Sequence, residues 1–402
     1  MTDLNRLLAA RGIRAFADGC ISLLLPFYLI ELGFDAFRVG AIATATLLGS
    51  GLFTLALGAI GHRYRRHRLF VAAALLMAAT GIGFAGLSQF WPLMLVAFVG
   101  TLNPSNGDVS VFLPLEQAAL AHIVDARRRT AVFAWYSTIG SLLGAGGALA
   151  AAAPDWIAAA SHSSRLDALR FVFLAYAACG LLAGQLYRGL GKRIGEASAP
   201  EHAAPLTQSR TLVYRLALLF SLDSFGGGFV VQSLLALWLF QRFGLSAGET
   251  AQIFFWTGIC SALSYLAAVP IARKLGLINT MVFTHLPANV CLILVPFIPH
   301  VLWAVVLLVV RSALSQIDVP ARRSYVMAVV AAEERTAAAS VTSVPRSLAA
   351  AASPALAGWL LTLSGFGWPL VIGGGLKIVY DLLLLLLFRK VRPPEESDAD
   401  QR

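Results

Sequence analysis

The feature that most constrains this chain is a succession of about a dozen apolar stretches, each near twenty residues long, separated by short polar turns between residues 11 and 388. A helix of about 20 apolar residues crosses the roughly 30 Å hydrocarbon core of a bilayer. Lipid offers no partner for backbone N–H and C=O groups, so a chain with this pattern folds as a bundle of transmembrane helices. Of 402 residues, 13 % are charged, about half the share found in soluble domains, which leaves no room for a large aqueous domain.

The pattern predicts crossings near 11–33, 39–61, 69–88, 90–122, 130–153, 168–187, 211–240, 247–270, 279–298, 300–330, 336–362 and 366–388. Basic residues alternate between turns. One side holds Arg63, Arg65, Arg66, Arg68, Arg127, Arg128, Arg129, Arg188, Lys192, Arg193, Arg210, Arg273, Lys274, Arg335, Arg389, Lys390 and Arg392, whereas the other has only Arg38, Arg165, Arg170 and Arg242. The positive-inside rule then puts both termini in the cytoplasm, with the first crossing as an uncleaved anchor. The formal charge of +10 is thus a topology signal, not a sign of a nucleic-acid partner. Cys20, Cys179, Cys260 and Cys291 share no metal-site spacing and read as packing residues.

A hydrophilic stretch at 188–210 separates a first bundle, 1–187, from a second, 211–390, and residues 391–402 form a polar tail. The halves are related. A shift of 206 positions lays Pro114 on Pro320, Arg129-Thr130-Ala131 on Arg335-Thr336-Ala337, and Ser141-Leu142 on Ser347-Leu348. Duplicated six-helix halves imply a pseudo-symmetric bundle with a polar site at its middle.

Two local patterns carry a family resemblance. The turn after the second crossing runs Gly58-Ala59-Ile60-Gly61-His62-Arg63-Tyr64-Arg65-Arg66, a glycine followed by a basic cluster, and Ala272-Arg273-Lys274-Leu275-Gly276 is a shorter version in the second half. Pro26-Phe27-Tyr28 and Glu31-Leu32-Gly33 close the first crossing. With these the chain resembles the major facilitator superfamily of secondary transporters over nearly its whole length. The resemblance implies an all-α fold of 12 transmembrane helices in two six-helix halves, alternating access, and a conformational latch at Gly58, His62, Arg63, Arg66 and Arg273. His62 stands where the family carries an acid, which implies a weaker or pH-dependent latch; a plain topology-fixing basic turn is the alternative. Gly140, Gly144, Gly146 and Gly147, with Ser353-Pro354 and Gly358, are similar to the signature of exporters in that superfamily, although small-residue packing accounts for them equally.

An ionisable side chain at mid-membrane costs about 2.5 to 3.5 kcal/mol on insertion scales, so each one demands a partner or a role. Arg14 and Asp18 stand four apart and either neutralise each other or serve a coupling ion. Asp223 precedes three glycines in the seventh crossing, with Gln232 beyond them. Asn103-Pro104-Ser105-Asn106-Gly107-Asp108 interrupts the fourth crossing and marks either a cavity wall or the outer membrane face; Glu116 and Gln117 follow it. The tenth crossing carries Arg311, Gln316, Asp318 and Arg322, and His285 and Asn289 share a face of the ninth. Lys377 and Asp381 read as an intrahelical ion pair. No phosphate loop, HExxH or nucleophile elbow occurs, so no enzyme and no ATP-driven pump is expected.

The expectation is a secondary transporter of a small organic molecule in the cell membrane, monomeric, without cofactor or metal. Proton-coupled efflux driven by Asp223 or Asp18 pairing with Arg311 is the leading form; nutrient uptake, metal-ion movement or a receptor role are the alternatives.

Overall fold

The computed structural model describes residues 2–60, 64–105, 110–124, 126–191, 206–330, 334–389 and 391. These are helices joined by short turns. In order they are α1 (Asp3–Glu31), α2 (Ala36–Ile60), α3 (Arg66–Gly86), α4 (Phe90–Val99), α5 (Phe112–Ile123), α6 (Ala126–Ala150), α7 (Ala153–Ser161), α8 (Arg165–Arg188), α9 (Arg210–Gly228), α10 (Gln232–Phe243), α11 (Ala247–Leu275), α12 (Leu277–Leu294), α13 (Val301–Leu314), α14 (Asp318–Val329), α15 (Arg335–Leu363) and α16 (Trp368–Phe388). Fifteen of them make the twelve crossings of the all-helical fold, with crossings four, seven and ten each split into two helices (α4/α5, α9/α10, α13/α14), and the short α7 follows α6 at the end of crossing five. Among the described residues, 10 segments are long and apolar enough to span a bilayer, three of them reading through a turn or a break.

Local chemistry accounts for the ends. The Thr2 hydroxyl accepts from the Asn5 amide at the start of α1, and Ser164 caps α8 through the Asp167 amide. Gly276, alone between α11 and α12 with φ of +79°, takes a backbone geometry that a side chain resists.

Packing divides the chain into two compact units. The first comprises Met1–Ala199, Val231–Ile259 and Pro354–Gly365; the second comprises Pro200–Val230, Cys260–Ser353 and Phe366–Arg402. The first therefore contains, besides the six N-terminal crossings, the parts of crossings seven, eight and eleven that lie away from the chain termini. Within it, helices meet at glycine. A Cβ on Gly19 would stand 2.0 Å from the Gly144 carbonyl oxygen, and one on Gly147 would stand 1.9 Å from that of Phe16, so α1 and α6 lie backbone against backbone. Gly144 and Gly147 of span five thus sit directly in this contact. Similarly Gly40 faces Pro354 and Gly358, with the Ala355 amide donating to Thr44 Oγ1 at 3.0 Å. In the second unit, Phe220, Met281, Tyr325, Tyr380, Leu384 and Phe388 centre an apolar core.

Near the chain ends of the second unit, Glu334 substitutes for a side-chain cap on α9. Its carboxylate accepts from the Thr207 amide (2.7 Å) and hydroxyl (2.8 Å), the Gln208 amide (2.9 Å) and the Ser209 amide (2.9 Å). The Thr207 donors, with the two amides beyond them, stabilise the charged form and hold this carboxyl down at about 2.

Candidate functional site

Among the described residues, each unit carries a buried cluster of ion pairs. In the first, α1 delivers Arg14, 1 % exposed, to Glu116 of α5, 0 % exposed, and the two form an ion pair. Arg14 Nε donates to Tyr187 Oη of α8 at 3.1 Å, and that hydroxyl donates on to Glu116 Oε1 at 2.6 Å. Tyr136 of α6 donates to Glu116 Oε2 at 2.5 Å, and the Arg14 guanidinium lies 4.0 Å over the Phe112 ring. One guanidinium and two phenols saturate the carboxylate, and the aromatic face covers the guanidinium. Such a closed network fixes the places of spans one, four, five and six.

Asp18, one turn along α1, is different. It is 6 % exposed, and its hydrogen bond comes from Tyr176 of α8 at 3.4 Å. The same hydroxyl lies 3.3 Å from the Thr101 carbonyl oxygen, in the break of span four.

In the second unit Asp223 is the hub. Its Oδ1 accepts from Lys377 Nζ of α16 at 2.7 Å and its Oδ2 from Arg322 Nη1 of α14 at 3.0 Å; His285 Nε2 of α12 stands 3.8 Å away. Arg322 is also paired with Asp318. His285 Nδ1 contacts Asp381 Oδ1 at 2.9 Å, and Asn289 Nδ2 donates to Asp381 Oδ2 at 3.1 Å. The ring thus presents Nδ1 to Asp381 and Nε2 to Asp223. At the rim Arg346 of α15, half-buried, donates through Nε to Ser224 Oγ at 2.9 Å.

These pairings differ from those read by spacing. Arg14 holds Glu116 rather than neutralising Asp18, and Lys377 and Asp381 reach across to Asp223 and His285 instead of each other. Four-residue spacing brings side chains onto one helix face, but in a bundle the neighbouring helix at the same depth competes for them. Arg311 has no ion pair among the described residues; Arg322 takes the role expected of it. Gln316 accepts from Tyr265 Oη at 2.9 Å. Asn103 Oδ1 accepts from the Ser105 amide and hydroxyl, capping the break in span four. Gln232 opens α10 with its Nε2 buried and unbonded among the described residues. Of the expected latch, Gly58 lies in the last turn of α2, Arg66 opens α3 and Arg273 sits in the last turn of α11. His62, Arg63, Asn106 and Asp108 fall outside the described residues. Tyr136, Tyr176, Tyr187, Tyr380 and Arg346 drew no notice in the sequence, because a tyrosine in an apolar run carries no periodic signal.

A profile of the Major Facilitator Superfamily matches residues 7–316. The chain belongs to this superfamily. An uncharacterised membrane protein of Saccharomyces cerevisiae, YJR124C, is 22 % identical over 420 residues, covering 96 % of this chain and 94 % of the yeast protein. Among solved structures, the fold matches the nucleoside transporter NupG with a TM-score of 0.71 at 12 % identity, covering 97 % of this chain and 100 % of that one. It also matches a bacterial homologue of the human lysosomal transporter Spinster, inward-facing and unoccupied, with a TM-score of 0.67 at 14 % identity and coverage of 96 % and 94 %. The human organic anion transporter MFSD10 gives 0.64 at 17 % identity, with 96 % and 100 % covered. Membership of this superfamily supports a role in membrane transport.

Proposed function

We propose that this superfamily member moves a small organic solute outward in exchange for protons, by alternating access, and that the exchangeable proton resides on the His285–Asp381–Asp223 array. The observation that carries the reading is a charge imbalance. Among the described residues, the ion pairs at the heart of the second-unit cluster join three carboxylates, Asp223, Asp318 and Asp381, to two permanent cations, Arg322 and Lys377, one positive charge short of neutrality. His285 stands between two of the carboxylates and is the group built to take it. Arg346 adds a cation only at the half-exposed rim.

The proton changes the packing forces directly. An imidazolium 3.8 Å from Asp223 attracts it by about 4 kcal/mol at an effective dielectric near 20. That is on the order of a thousandfold in an equilibrium between two packings. Asp223 ties spans seven, nine, ten and twelve together, and it lies one turn before the end of α9 and the break in span seven. Loss of the proton loosens one of its three cationic holds, next to the point where that span can bend.

The outward direction rests on the exporter-like glycine and proline pattern. The basic turns support a cell-membrane topology with both termini cytoplasmic, and the protein is taken to work as a monomer. In reconstituted vesicles screened with a chemical library, transport is expected to follow an imposed pH gradient, and His285→Gln to abolish that dependence. Solute movement indifferent to the gradient, with His285→Gln and Asp223→Asn matching the parent, overturns the reading.

A further inference from the structure

A hydroxyl has one hydrogen to donate, and Tyr176 faces two acceptors with it. Its oxygen lies 3.4 Å from Asp18 Oδ1 and 3.3 Å from the Thr101 carbonyl oxygen, both longer than the roughly 2.7–2.8 Å of a good O–H···O bond. All three groups are buried, at 2 % exposure for Tyr176, 6 % for Asp18 and 9 % for Thr101. An ionised Asp18 would then share one weak donor with a peptide carbonyl, an arrangement that leaves buried acceptors unsatisfied. A proton on Asp18 resolves the shortage. The carboxylic acid donates to Tyr176 Oη, and the phenol is released to donate to Thr101.

We propose that Asp18 is a second proton site, in the first unit, and that Tyr176 couples its occupancy to the break in span four. The inference rests on the transport reading for its purpose but not on the His285 array, which lies in the other unit. With Asp18 protonated, Tyr176 anchors the Thr101 carbonyl, which opens the non-helical stretch after α4. When Asp18 gives its proton to the aqueous phase, the carboxylate takes the phenol's hydrogen and Thr101 loses its anchor. The Thr101 hydroxyl, buried and unbonded among the described residues, shows that this stretch already carries spare hydrogen-bonding capacity.

Two cations, Arg14 and Arg11, act on Asp18 through space, but neither donates a hydrogen bond to it among the described residues. Arg14 on its own helix is committed to Glu116 and Tyr187, and Arg11 lies 5.0 Å over the Tyr136 ring of α6. From α8 come Tyr176 and the Cys179 thiol; from α5 comes Glu116, already saturated. Tyr176 is thus a positioning residue for the proton, set between a titrating carboxyl and a broken backbone.

Infrared spectroscopy of the full chain in lipid nanodiscs tests this without a substrate. Near neutral pH the parent is expected to show a carboxylic-acid C=O band that moves on ¹³C-carboxyl labelling of aspartate and disappears in Asp18→Asn. In Tyr176→Phe the band should shift to higher frequency as the acid loses its acceptor, and His285→Gln should leave it in place. Absence of the band from the parent overturns the proposal, as does its survival in Asp18→Asn. Should Asp18→Asn fail to fold, an unshifted aspartate band in Tyr176→Phe overturns it equally. The His285 reading stands or falls separately, on the pH dependence of transport.

Discussion

Replacing Glu116 by Leu removes the acceptor at the centre of the first-unit network and leaves the Arg14 guanidinium, 1 % exposed, without a counter-charge. Breaking a buried pair in this way costs about 3–5 kcal/mol, and each orphaned hydroxyl, on Tyr136 and Tyr187, adds about 1–3 kcal/mol where no other acceptor is in reach. Glu116→Leu should therefore destabilise by at least about 5 kcal/mol. Arg14→Met leaves a carboxylate that still receives both phenols, so its cost should fall nearer the low end, about 3 kcal/mol. The double variant removes both charges and keeps only the phenol cost, about 2–6 kcal/mol, because apolar side chains of similar volume replace a buried ion pair at little expense. The phenol cost cancels in the cycle, so the coupling energy from the four proteins is about 6 kcal/mol or more, measurable by equilibrium unfolding in mixed detergent micelles. The same cycle between Arg14→Met and Asp18→Asn should give a coupling several-fold smaller. Equal couplings in the two cycles, or single variants that each lose under about 1 kcal/mol, refute the assignment of Arg14 to Glu116.

Two further outcomes follow from the geometry. In Gly358→Ala the new Cβ would stand 2.4 Å from the Ala36 carbonyl oxygen, so the contact between α2 and α15 must open; a cysteine placed at Thr44 should label several-fold faster, and an unchanged rate contradicts the close approach. Glu334, held down to about 2 from an ordinary 4.5, contributes stability that is complete above about 4.5 and is lost as pH falls toward 2. The unfolding temperature of the parent should drop across that window while that of Glu334→Gln, already lower at neutral pH, changes less; parallel curves contradict the cap.

The twelve crossings were legible because a bilayer permits few backbone solutions, and apolar length is enough to select among them. The break in span four was legible too, since Asn103-Pro104 cannot continue a helix without cost. The break in span ten has its signal a few residues downstream: Ser315, Gln316 and Ile317 are not helix breakers, but Pro320 in the first turn of α14 has no N–H to offer the Gln316 carbonyl. The charged residues of the clusters were all visible as expensive intramembrane groups, but their partners were not. Spacing reports which side chains share a helix face, whereas the pairs that form link Arg14 to Glu116 and Asp223 to Lys377, residues separated by 102 and 154 positions. Only depth along each crossing could have suggested them, and depth blurs when span boundaries move by several residues.

The internal repeat gives these pairs a common origin. Under the shift of 206 positions Glu116 falls on Arg322, and Arg14 falls on Phe220, within one helical turn of Asp223. Both halves thus join their first helix to their fourth through a buried ion pair, with the polarity reversed: cation on span one and acid on span four, acid on span seven and cation on span ten. What surrounds the pair differs. Phenols close the first around one carboxylate, leaving no site for an added proton, whereas the second has gathered Asp318, His285, Asp381 and Lys377 until its charges no longer cancel. A neutral, saturated pair can only hold helices in place. Under the proposed exchange mechanism, that difference in charge count, more than any single residue, gives the first pair the fastening role and the second the titrating one.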